Sequence, residues 1–102
     1  MDKDVVEVIF QSKNDSQLKS VYSLLRVCYC NIAIVSIKAE TYQTAIDACN
    51  ESLLIDNENV RALYLRSKAR VLPKSSGALE QKMAIADLEA AINIDPHNPA
   101  VM

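Results

Sequence analysis

Hydrophobic positions recur along most of this chain with the spacing of helices. Residues 17–38 form a run without Gly or Pro, and from Val21 to Ile37 it is apolar on nearly every side. As a helix the run spans about 33 Å. Two environments suit such a helix. A membrane span needs about 20 apolar residues; this run has fewer and carries Arg26 and Asn31 inside it. A helix sandwiched between neighbours is also apolar all round. The rest of the chain is amphipathic, so a sandwiched helix is the expectation. Thr41 is placed to cap a helix over 42–55, where Ala45, Ile46, Cys49, Leu53 and Leu54 follow helical spacing. Asp56-Asn57-Glu58-Asn59 is a polar turn. A helix over 60–72 ends at Pro73-Lys74-Ser75-Ser76-Gly77, and one over 79–93 ends at Asp95-Pro96-His97-Asn98-Pro99.

Near the start, Val5, Val6, Val8, Ile9 and Phe10 make a short apolar stretch that reads as the end of a helix over 4–12. Val-Val and Val-Ile would also suit a strand. Asn14-Asp15-Ser16 is a turn signal, with Ser16 as an N-cap. No segment alternates as a credible strand. The pattern predicts an all-α fold whose short connections make antiparallel hairpins.

An internal repeat underlies this pattern. With residues 44–59 set above residues 83–98, Ala45/Ala84, Ile46/Ile85, Ile55/Ile94, Asp56/Asp95 and Asn59/Asn98 coincide at an offset of 39. Each copy is the second helix of a hairpin ending in Ile-Asp-x-x-Asn. With these residues the chain resembles the tetratricopeptide repeat family, a helix–turn–helix of about 34 residues with small residues at fixed positions. From Arg26 as the first position, Ala33, Ala45 and Ser52 fall on the small positions, and Asn57 stands where Pro is usual. From Val60, the matches are Ser67, Ala84, Ala91 and Pro96, once five residues are inserted within 73–82. Ser36 and Arg70 stand where the family usually has an aromatic.

Cys30-Asn31-Ile32-Ala33, Ala45-Ile46-Asp47-Ala48-Cys49 and Arg61-Ala62-Leu63-Tyr64-Leu65-Arg66 bring the resemblance nearest to large immunophilins and related co-chaperones. It implies a right-handed α-solenoid of antiparallel helix–turn–helix repeats. In that frame residues 1–15 end a preceding repeat, 16–59 form one repeat and 60–99 form another with an inserted loop at 73–82. The chain then looks like a fragment, and self-association through exposed repeat ends is expected, because such arrays need about three repeats and polar caps.

Charge adds a candidate site. Residues 60–74 hold five bases (Arg61, Arg66, Lys68, Arg70, Lys74) and no acid, while the remainder has 6 bases against 13 acids. Arg61 and Lys68 share one helical stripe, and Asn31 and Lys38 share another. A solvated basic face would explain the charge alone. The resemblance implies more: first helices of successive repeats line a concave groove, where Asn31, Lys38, Arg61 and Lys68 would converge. A cationic groove with an amide suits a carboxylate ligand. In chaperone-binding members a carboxylate clamp holds the acidic C-terminal tail of a heat-shock chaperone. By alignment Asn31 stands at the clamp Asn, Lys38 at a groove Lys and Arg61 at a clamp Lys. The clamp Arg falls on Leu65, and Arg66 sits about 100° around the helix. The function so implied is protein binding of co-chaperone type. The alternative is a structural assembly scaffold without clamp activity.

Composition narrows the remaining classes. At 102 residues, 50% hydrophobic and 24% charged, the chain is one small domain or part of one, too apolar for a disordered tail. A net charge of -2 does not suggest nucleic acid. No basic-then-apolar leader is present, and three Cys are too few for a disulfide scaffold, so a reducing, cytoplasmic setting without a membrane partner is expected. Catalytic chemistry finds no support. His97 is a turn residue, Cys28 and Cys30 point to different sides of one helix, Cys49 reads as core, and Gly77 alone makes no phosphate loop. No cofactor or metal is expected, and a prolyl isomerase domain could belong only to a longer parent.

Overall fold

A computed structural model describes residues 15–98, and the helix expected over 4–12 lies outside the described residues. Four helices follow one another: α1 (Asp15–Lys38), α2 (Tyr42–Ile55), α3 (Val60–Val71) and α4 (Ala78–Ile94). No strand occurs among the described residues. α1 pairs with α2 and α3 with α4; α2 packs on α3, α1 also touches α3, and α1 and α4 lie apart. The chain is thus two joined helical hairpins, and the repeat read from sequence is a repeat in space.

The bounds of α2 agree with the expected 42–55. α1 starts at Asp15, so Ser16 lies inside the helix and does not cap it; its carbonyl accepts from the Ser20 hydroxyl at 3.2 Å. Thr41 occupies the N-cap of α2, but its hydroxyl turns back to the Ser36 carbonyl at 3.1 Å and closes the end of α1. There the amides of Glu40 and Thr41 bond the carbonyls of Ile37 and Ser36, at 3.0 and 2.9 Å, in a Schellman arrangement. Glu40 carries the left-handed backbone this requires, with φ of 61°, a place where Gly is usual.

The inserted segment is only partly loop. α4 begins at Ala78, so residues 78–82 lengthen the helix to 17 residues, against 14 in α2. The Gly77 amide donates to Glu80 Oε2 at 2.9 Å, satisfying a donor at the helix start. Hydrogen bonds from the amides of Glu80 itself and of Gly77 hold the Glu80 carboxyl below the usual range.

Small side chains fill the contacts. Ala33, Ala45, Ser52 and Ala91 have no exposed surface, and Ser67 and Ala84 are also buried. These are all six small positions of the repeat. The largest fully buried side chains are Cys49 and Ser52, so the helices approach closely without bulky residues between them.

α1 departs from expectation. It is long and apolar enough to cross a membrane, with a mean hydropathy of 1.5, yet only 22% of its apolar window is buried. Its neighbours cover one side. Leu24, Val27, Ile32 and Val35 are exposed on the other, so the sandwiching expected from its composition is half met among the described residues.

Candidate functional site

The groove between α1 and α3 is set by a polar knot at the α2–α3 turn. Asn59 caps α3, accepting from the Ala62 amide at 3.3 Å. Its Nδ2 donates to Ser52 Oγ at 2.9 Å and to Cys30 Sγ at 3.6 Å. Ser52 Oγ donates to the Arg26 carbonyl at 3.3 Å, and the Arg26 guanidinium pairs with Asp56 at 2.8 Å. The partly exposed Arg26–Asp56 pair adds about 1 kcal/mol. The buried Ser52 hydroxyl and the partly buried Asn59 amide do more, because the hydroxyl would otherwise lose its partners away from water. Together they fix the middle of α1, the end of α2 and the start of α3.

Beside this knot lies a cleft of about 370 Å³ lined by Ile34, Arg61, Tyr64, Leu65 and Asn98. Arg61 lines it directly. Asn31 and Lys38 flank Ile34 by one turn on either side of the same α1 stripe, and Lys68 stands one turn beyond Tyr64 and Leu65. All four are exposed, and among the described residues none of their side chains has a hydrogen-bond or ion-pair partner. The cleft floor is apolar: Leu65 is buried where the resemblance calls for Arg. A second cleft of similar volume lies under the 73–77 loop between Tyr42, Ile46, Arg70, Ser76 and Glu80. None of the four candidate residues lines it.

Arg66 and Arg70 leave the cationic surface altogether. Arg66 grips Asp87 with two bonds, Nη2 to Oδ1 at 2.6 Å and Nε to Oδ2 at 3.0 Å, and gives Nη1 to Asn50 at 2.9 Å. Arg70 Nη1 reaches the same Asp87 at 2.8 Å. Asp87 is buried on α4 and neutralises part of the basic run of α3. Sequence reasoning missed this carboxylate, although the repeat held a signal. Arg70 stands where the first hairpin has Ser36, 34 residues earlier, and Asp87 where it has Ala48, 39 residues earlier, so opposite charges enter the two helices of the second hairpin together.

Burial, and then the neighbouring Cys30, push the Cys49 thiol up to about 12, while Cys28 is exposed. No group of His, Cys, Asp and Glu suited to a metal ion occurs among the described residues.

The described residues form an all-helical pair of hairpins, compatible with a helical repeat, with a cleft between α1 and α3 that Arg61 lines above an apolar floor. The chain is 31% identical over 96 residues to peptidyl-prolyl cis-trans isomerase D of Kluyveromyces lactis, covering 90% of this chain and 24% of that protein. It is 25% identical over 89 residues to peptidyl-prolyl cis-trans isomerase FKBP4 of Mus musculus, covering 87% of this chain and 18% of that protein. Both are immunophilin-class proteins, the class the repeat residues resemble. The chain spans about a quarter of the length of these relatives or less. No family model matches it.

Proposed function

We propose that this chain is a protein-binding module of co-chaperone type, a tetratricopeptide-like solenoid whose groove holds an acidic C-terminal peptide of a heat-shock chaperone. The observation that carries the reading is the unpartnered state of Asn31, Lys38, Arg61 and Lys68 around one cleft. The partly buried Arg26, Arg66 and Arg70 are paired within the fold, whereas these four side chains are exposed and Arg61 lines the cleft. Asn31 and Arg61 are the direct carboxylate contacts in this reading, and Lys38 and Lys68 supply field. The module itself is not an enzyme; prolyl isomerisation belongs, if anywhere, to another part of a longer cytoplasmic parent.

Titration with an acidic, carboxylate-ended peptide over a range of salt concentrations tests this. Binding should weaken with salt, since exposed charges are screened. Arg61→Ala should reduce affinity about 10-fold or more, and Leu65→Arg should raise it by a similar factor, each equivalent to a charge-assisted contact of roughly 1.5–3 kcal/mol. If both variants leave affinity unchanged, the groove is not the site. The assembly-scaffold reading is favoured by one specific observation: Leu65 is buried at the clamp position and Arg66 is committed to Asp87.

A further inference from the structure

Two apolar faces stand uncovered among the described residues, and the internal repeat says what each one matches. On α4, Ile85, Ile92 and Ile94 are exposed by 56%, 41% and 38%. Their counterparts on α2, at the offset of 39, are Ile46, Leu53 and Ile55, all packed against the core that α3 helps to close. On α3, Ala62 and Ala69 are wholly buried in that same core. Their counterparts on α1, at the offset of 34, are Cys28, which is exposed, and Val35, which is 65% exposed. α4 therefore shows solvent the face that α2 gives to α3, and α1 shows the face that α3 gives to α2.

Charge follows the same alternation. α1 holds Lys19, Arg26 and Lys38 against one acid, and α3 holds four bases and no acid. α2 holds Asp47 and Glu51 without a base, and α4 holds Glu80, Asp87 and Glu89 against Lys82. Arg26 and Asp87 are already paired within the chain, with Asp56 and with Arg66 and Arg70. Beside the uncovered faces stand Lys38, one turn from Val35 on α1, and both Lys82 and Glu89, one turn from Ile85 on α4, so charge opposes neither face and the repeat sets which face matches which.

We propose that a second copy of this chain covers these faces, with α1 of one copy docked on α4 of the next as α3 docks on α2 within the chain. Ile46 and Ala69 line one cleft in the chain, so Ile85 of one copy would meet Val35 of the other. The contact joins two different surfaces, so it is head-to-tail and can propagate. It also sets the Asn31–Lys38 stripe of one copy beside the Arg61–Lys68 stripe of its neighbour, lengthening the groove.

Sedimentation equilibrium of the full chain tests this. The weight-average mass should climb above the monomer's 11.3 kDa as concentration rises from about 10 to 500 µM, a range that reports weak association. Val35→Glu and Ile85→Glu should each remain monomeric. An equimolar mixture should form a one-to-one complex and nothing larger, because each variant keeps the face its partner lost. Circular dichroism checks folding, and Ile32→Glu or Ile92→Glu replaces a variant that loses helicity. A monomeric wild type across the range overturns the proposal. So does a variant that still self-associates, since like faces would then be pairing, or a mixture that stays monomeric.

Discussion

Replacing Asp87 with Ala removes a carboxylate that two arginines share. The side chain of Asp87 is 6% exposed, and those of Arg66 and Arg70 are 21% and 13% exposed. Three charge-assisted bonds disappear, and two guanidinium groups are left largely out of water. Breaking a buried ion pair costs about 3–5 kcal/mol. Arg66 keeps Asn50 and some solvent, which puts Asp87→Ala near the lower end, about 3 kcal/mol. In a domain of this size 1 kcal/mol moves Tm by about 4–8 °C, so the melt should fall by roughly 12–24 °C. The repeat supplies the control. Arg66→Ile, Arg70→Ser and Asp87→Ala together import Ile32, Ser36 and Ala48 of the first hairpin and leave no charge unpaired. Replacing a buried charge cluster by uncharged residues of fitting shape is often nearly neutral, so the triple variant should lie within about 1.5 kcal/mol of wild type. Urea and thermal unfolding followed by circular dichroism measure both. A shift below about 4 °C for Asp87→Ala, or a triple variant weaker than the single one, would refute the reasoning.

Other expectations follow from single positions. Ala33→Leu should overpack the α1–α2 contact and cost about 1–3 kcal/mol; an unchanged Tm would mean the close approach is misplaced. Glu40→Gly should raise stability by about 0.5–1 kcal/mol, because Gly adopts the left-handed conformation without the steric cost borne by Glu; a destabilised variant in urea unfolding would contradict this. Cys28 should react rapidly with a thiol reagent at neutral pH while Cys30 and Cys49 stay protected until unfolding, as mass spectrometry of timed samples would show.

Much of the fold was legible because periodicity and punctuation agreed. The bounds of α2 lie between two clear turns, and the small residues at six repeat positions marked where helices touch. The errors have local causes. Ser16 looked like a cap, but it lies inside α1. The last helix starts at Ala78, one residue before the expected 79, because Gly77 offers no capping side chain to mark the start; the cap is made by the Glu80 carboxylate reaching back to its amide. The rotation of α3 about its axis was harder still. Five bases over 60–74 suggested one cationic surface, whereas the structure turns two of the four on α3, Arg66 and Arg70, inward to a carboxylate 21 and 17 residues further on. The position of Arg61 beside Ile34 could be expected only through the resemblance, since spacing alone does not say which stripe faces which.

The order of contacts also bears on how this chain folds. Its main interfaces join helices that are consecutive in sequence, and the first and last helices lie apart. Contacts of such short range carry little loop-closure cost, so either hairpin can form first and the chain should fold quickly. Opening should likewise proceed by fraying. α2 and α3 each have a neighbour on both sides, so they form the slowest-exchanging unit, while α1 and α4 can detach without breaking the central contact. A ligand that bridges α1 and α3 would therefore tie a fraying helix to the stable middle, and its binding energy would be spent partly on suppressing local motion.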